Sequence, residues 1–107
     1  MTGDSQPTYR TLGRTGLKVS PLAFGAMTFG WGADAATSQR LFDTYRAHGG
    51  NFIDTADAYS GGQSETWLGE IVERANARHD IVLATKFSFA AGTGNPNAGG
   101  KIGRAHV

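Results

Sequence analysis

Apolar residues in this chain fall into short clusters separated by glycine, and their spacing alternates between the two-residue period of a strand and the 3.6-residue period of a helix. Asn51-Phe52-Ile53-Asp54-Thr55 and Ile81-Val82-Leu83-Ala84-Thr85-Lys86 read as short buried strands, and residues 22–27 as a mostly apolar strand before them. Between the strands, Leu41, Phe42 and Tyr45 mark one face of a first helix, capped by Thr37 or Ser38 and stopped at Gly49-Gly50. Trp67, Leu68, Ile71, Val72 and Ala75 recur at helical spacing in a second helix, with Ser64 as its cap and Glu70 paired to Arg74 on the exposed side. Upstream, residues 9–12 and 17–20 flank Gly13-Arg14-Thr15-Gly16, a turn with glycine at both ends, and predict a β-hairpin that Pro21 terminates. Residues 1–8 read as a disordered lead-in. Residues 87–100 are a polar Gly- and Asn-rich loop, longer than an ordinary connection and therefore either functional or frayed.

Strand, helix, strand, helix, strand with short links gives an α/β class with a parallel sheet. The 81–86 strand is apolar on both faces until its last two residues, the pattern expected of a strand buried between a barrel interior and outer helices. Composition narrows the functional classes. Ten Lys and Arg against nine Asp and Glu give a net charge of +1, with the basic residues scattered, so nothing points to nucleic acid or an anionic membrane. No apolar run approaches the ~18 residues of a membrane span, and the first seven residues lack the apolar core of a signal peptide, so a cytoplasmic location is expected. The absence of cysteine excludes disulfides and thiolate metal sites. Glycine, at 16 residues, is about twice its usual share of ~7%, and many of these glycines fall at turns between the predicted elements.

In parallel α/β folds, ligands and chemistry gather at the carboxyl ends of the strands. Asp54 and Lys86 end two of the strands, and Tyr59 lies in the loop directly after the first of these. A carboxylate, a phenol and an amine together suggest proton transfer: an ammonium beside a phenol favours the phenolate, and a carboxylate holds the ammonium in place. An ordinary ion pair at the strand ends and a tyrosine lid would give the same residues a purely structural reading. Asp57 reads as a loop residue capping local backbone groups, and Glu65 as a charge favoured by the dipole at the start of the second helix. Trp31 and Phe29 either line a pocket above the strands or pack on their rim. His48 and His79 lie near helix ends on the surface. No two histidines have ligand spacing, so no metal is expected. The glycines around Gly25, Gly30 and Gly32 do not form G-x-G-x-x-G, which argues against a Rossmann pyrophosphate loop.

The stretch Asn51-Phe52-Ile53-Asp54-Thr55-Ala56-Asp57-Ala58-Tyr59-Ser60-Gly61-Gly62-Gln63-Ser64-Glu65 resembles the second-strand signature of the aldo-keto reductases, and Thr85-Lys86 resembles their third-strand lysine. Tyr9-Arg10-Thr11-Leu12-Gly13-Arg14-Thr15-Gly16-Leu17-Lys18-Val19-Ser20 and Phe24-Gly25-Ala26-Met27-Thr28-Phe29-Gly30 are similar to the family's amino terminus, especially in the branch of bacterial reductases and potassium-channel β-subunits. The resemblance implies the first part of a (β/α)8 TIM barrel, an amino-terminal hairpin plus about three β/α units. A complete barrel needs roughly 250 residues and this chain has 107. It further implies an NADP(H)-dependent oxidoreductase acting on a small-molecule aldehyde or ketone. Asp54, Tyr59 and Lys86 would be catalytic, and Gly25, Ala26, Met27 and Asp54 would lie beside the nicotinamide ribose. In this family a histidine beyond the fourth strand also takes part, and most of the adenosine phosphate is bound by the last quarter of the barrel. The truncated chain is therefore expected to be inactive, and a regulatory barrel of the channel β-subunit kind, binding NADPH with little turnover, is the alternative. Residues 9–100 form the expected barrel portion. Residues 101–107 are expected to be a non-native tail, because Ile102 to Val107 back-translate to ATC GGA AGA GCA CAC GTC, which resembles a short-read sequencing adapter.

Overall fold

The computed structural model describes residues 8–87, so most of the expected lead-in, nearly all of the 87–100 loop and the 101–107 tail lie outside the described residues. The described residues open with the predicted hairpin. β1 (Arg10–Thr11) pairs antiparallel with β2 (Lys18–Val19), and Gly13 and Gly16 both take positive φ in the turn between them. β3 (Phe24–Gly25), β4 (Phe52–Asp54) and β5 (Val82–Ala84) then form a parallel sheet in the order β3-β4-β5. Helix α1 (Ala35–Ala47) connects the first pair and α2 (Gln63–Arg74) the second.

One apolar core joins sheet to helices: Phe42 of α1, Leu68, Ile71 and Val72 of α2, Ile53 of β4, and Ala26, Phe29, Ala77 and Ile81 from the connections. Phe24 packs edge-on against Phe29 at 5.6 Å between ring centroids and against Tyr45 at 5.1 Å. The Tyr45 hydroxyl is a hub at the amino ends of the strands. It lies 2.7 Å from the Leu22 carbonyl and 2.9 Å from that of Phe52, accepts the Phe52 N–H at 3.0 Å, and is 2.9 Å from Ser20 Oγ. Asn51 ties the hairpin to the same end, its Oδ1 accepting the Ser20 N–H and its Nδ2 donating to the Lys18 carbonyl.

Several local expectations are corrected. Neither Thr37 nor Ser38 caps α1: Asp34 does, accepting the Thr37 N–H at 2.8 Å, because the helix starts at Ala35, ahead of both. Ser64 lies inside α2, whose cap is Gly62 in a left-handed conformation. Leu41 is exposed while Phe42 is buried, because their neighbouring positions on the helix turn them to different sides. Ala77, past the end of α2, takes the buried place expected of Ala75. Arg74 reaches across to Gln39 of α1 at 2.8 Å rather than back to Glu70. β5 is half-exposed along its length, as an edge strand among the described residues.

Candidate active site

Strand register sets the site. Gly25 of β3 pairs with Asp54, and Asp54 pairs with Ala84 of β5, so the three strands finish level and the residues just beyond them share one rim. Past β4 the backbone stays in register for a further step: the Thr55 N–H donates to the Ala84 carbonyl at 2.9 Å and the Asp57 N–H to the Lys86 carbonyl at 3.2 Å. Ala26 extends β3 in the same way, its N–H donating to the Asp54 carbonyl at 2.9 Å. Between β4 and α2 the loop closes through a short 3-10 turn, Tyr59–Gly62, in which Ser60, Gly61 and Gly62 all take positive φ.

On this rim Lys86 Nζ donates to Asp54 Oδ1 at 2.8 Å and Oδ2 at 2.9 Å, to the Thr55 carbonyl at 3.0 Å and to the Tyr59 hydroxyl at 3.2 Å. The ammonium also lies 4.9 Å from the Tyr59 ring centroid. Asp54 first, and Tyr59 after it, hold the Lys86 ammonium above the ordinary lysine range. The three side chains picked out in the sequence are thus one hydrogen-bonded group, with Lys86 half-exposed in the middle.

A groove of about 880 Å³ opens above the group, and Tyr59, Lys86, Asp57, Met27, Trp31 and Phe87 are among its walls. Its surface is mostly apolar, supplied by exposed Trp31, Phe87 and Met27. Phe29 and Trp31 therefore part company: Phe29 is core and Trp31 is groove wall. Asp57 contributes its N–H to the strand-end bonding and stands in the groove. His48 is exposed at the end of α1, and His79 is exposed in a turn before β5. Among the described residues no three His, Cys, Asp or Glu side chains gather as a metal site would need.

Beside Asp54, Gly25 and Met27 are exposed, whereas Ala26 between them is buried in the core. A Cβ added at Gly25 would meet nothing within 4 Å, so the strand end is open at this position. Residues missed in the sequence stand behind this rim. Ser64 Oγ donates to the Ala26 carbonyl at 2.7 Å and lies 2.7 Å from Thr55 Oγ1, both hydroxyls being buried. Thr85 Oγ1 donates to Glu65 Oε2 at 2.6 Å. Hydroxyl residues at the end of a strand and in the first turn of the next helix were the available signal.

Residues 21–106 match the aldo/keto reductase family. An aldo-keto reductase of Aspergillus calidoustus is 49% identical over 87 residues, covering 74% of this chain and 22% of the fungal protein. A chain of Arabidopsis thaliana named as a voltage-gated potassium channel β subunit is 41% identical over 101 residues, covering 92% of this chain and 30% of the plant protein. Among solved structures, an aldo-keto reductase of Bacillus halodurans in its holo form superposes with a TM-score of 0.72 at 35% identity, over 85% of this chain and 29% of that one. The chain spans less than a third of the length of these relatives. Its hairpin and three β/α strands are the opening portion of their barrel, and the chain belongs to the aldo/keto reductase family.

Proposed function

We propose that this chain is the amino-terminal segment of a cytoplasmic NADPH-dependent reductase of aldehydes and ketones, in which Tyr59, Lys86 and Asp54 carry the proton transfer. The observation that supports it is Lys86 Nζ bonded at once to the Asp54 carboxylate and the Tyr59 hydroxyl. An ion pair this exposed contributes little to stability, so its geometry is better explained by chemistry than by folding. The nicotinamide would supply hydride to the carbonyl carbon. Gly25, Ala26, Met27 and Asp54 would hold its ribose end against the strand ends. Tyr59 gives its proton to the carbonyl oxygen as negative charge develops there, and the Lys86 ammonium stabilises the phenolate left behind. Asp54 balances the ammonium and keeps it directed at Tyr59. Trp31 and Phe87 form apolar walls that receive the body of a small carbonyl substrate. The isolated 107-residue chain, with only this part of the machinery, is inactive.

Tyr59→Phe in the full-length protein tests this reading, since it removes the proton donor and keeps the ring. NADPH binding persists and carbonyl reduction falls by about 10² to 10⁴. Turnover near that of the parent would remove Tyr59 from the mechanism. Full NADPH binding by the unmutated full-length protein with almost no turnover would instead favour a regulatory barrel like the channel β-subunits.

A further inference from the structure

The loop that carries Tyr59 leaves the sheet at Thr55 and enters α2 at Gln63. Its two ends are joined by side chains. Ser64 Oγ has one hydrogen, and that hydrogen goes to the Ala26 carbonyl at 2.7 Å. Thr55 must therefore be the donor in the 2.7 Å contact between the hydroxyls, so the chain runs Thr55 to Ser64 to Ala26 with every hydrogen used. Ser64 is fully buried and Thr55 nearly so, which excludes water as a competing partner. The next residue, Glu65, reaches in another direction and accepts the Thr85 hydroxyl at 2.6 Å. Two consecutive residues in the first turn of α2 thus grip the ends of all three parallel strands: Ala26 beyond β3, Thr55 beyond β4 and Thr85 beyond β5.

Each gripped residue adjoins the proton-transfer group. Thr55 follows Asp54 and offers its carbonyl to Lys86 Nζ at 3.0 Å, and Thr85 precedes Lys86. The loop between has little regular support of its own. Its turn passes through left-handed Ser60, Gly61 and Gly62, and its internal bonds are long, Tyr59 N–H to the Ala56 carbonyl at 3.3 Å and Gly61 N–H to the Ala58 carbonyl at 3.2 Å.

We propose that Ser64, Thr55, Glu65 and Thr85 are positioning residues, a clamp in which the first turn of α2 closes the Tyr59 loop and fixes the distance from the Tyr59 hydroxyl to Lys86. This rests on the reductase reading for its catalytic consequence, but not for the closure itself. Misplacing a reacting group by about 1 Å costs up to a hundredfold in rate, whereas substrate binding on the apolar walls is untouched. The clamp therefore acts on kcat and leaves KM nearly unchanged.

The experiment compares Thr55→Val, which removes the hydroxyl and keeps the branched shape, with Thr55→Ser, which keeps the hydroxyl, in the full-length protein. Glu65→Ala and Glu65→Gln form the matching pair, since glutamine retains an oxygen that can accept from Thr85. Thr55→Val and Glu65→Ala are expected to lower kcat about ten- to a hundredfold at little changed KM, and Thr55→Ser and Glu65→Gln to restore most of it. Amide hydrogen exchange gives a readout independent of turnover: residues 56–62 exchange about tenfold faster in Thr55→Val while the strands keep their protection. An unchanged kcat and unchanged loop exchange in Thr55→Val would overturn the proposal. So would faster exchange spread evenly over sheet and loop, which marks a purely structural pair. If Tyr59→Phe retains turnover, the reductase reading fails and the loop exchange alone decides whether the clamp exists.

Discussion

Lys86 has three ammonium hydrogens and four oxygen neighbours within 3.2 Å, two of them on Asp54. The Tyr59 hydroxyl is the most distant of the four, which suits a contact that must tighten only when the phenol loses its proton. Removing the cation should then make that loss harder. Lys86→Met in the full-length protein is expected to lower kcat for carbonyl reduction by about 10² to 10³, because the phenolate left by the proposed proton transfer would lose its cation; steady-state rates check it, and activity retained assigns Lys86 to structure. The raised pKa of Lys86 also has a sign for stability. The contribution of the Lys86 ammonium is fully present below the ordinary lysine value, and so through neutral conditions, and is lost as pH rises through the higher folded one. At this scale the sequence was informative, because Asp54, Tyr59 and Lys86 stand out as ionisable residues where apolar strands end. Ser64 and Thr85 were not legible as partners, since a hydroxyl in a helix turn or at a strand end has many possible acceptors until the backbone is placed.

Among the elements, α1 shows how a cap can be misread by one turn. Asp34, Thr37 and Ser38 are all good cap types, and only the helix start distinguishes them. The Thr37 N–H, first among its neighbours, holds the Asp34 carboxyl below its usual value. The associated stabilisation is present above the ordinary carboxylate range and lost as pH falls through the lowered value. Asp34→Ala is therefore expected to destabilise α1 at neutral pH and to flatten the acid limb of its helical signal, measured by circular dichroism from neutral to strongly acid solution. Tyr45 ties α1 to the sheet by its hydroxyl. Tyr45→Phe leaves the half-buried Phe52 N–H and the nearby carbonyls without that group and should cost about 1–3 kcal/mol in chemical denaturation of the full-length protein. Gly50 explains why glycine must follow α1 so closely: an added Cβ would fall onto the Tyr45 ring.

For the whole molecule, the two edges of the sheet decide what the segment can do alone. β3 and β5 have no strand beyond them among the described residues, and Val82 and Leu83 are only half-buried. Ile53, on the central strand, is already fully covered by the two helices and needs no opposing strand to hide it. The deficit lies elsewhere, in the half-buried edge strand β5 and in exposed apolar side chains that include Leu22, Met27, Trp31 and Phe87. At ~1.5–3 kcal/mol per fully buried large apolar side chain, a few such losses equal much of a domain's ~5–15 kcal/mol. The 107-residue chain is expected to melt without a sharp transition and to gain no thermal stability from NADPH, since a ligand raises stability only through the state it binds. A cooperative melt raised by NADPH would show instead that this segment folds and binds by itself.

Alternating periodicity and glycine punctuation were enough, on their own, to determine the hairpin, the strand-helix-strand order and hence the parallel sheet with ionisable residues along one rim. These are consequences of local geometry, which repeats every two or 3.6 residues and is written directly in the spacing of apolar positions. Only the tertiary structure decided which of Phe29 and Trp31 is core, which side of α1 faces the sheet, and that Ser64 and Glu65 reach strands up to 38 residues away in sequence. Such contacts depend on strand register and helix rotation together, and no spacing along the chain encodes the meeting of two hydroxyls across a loop.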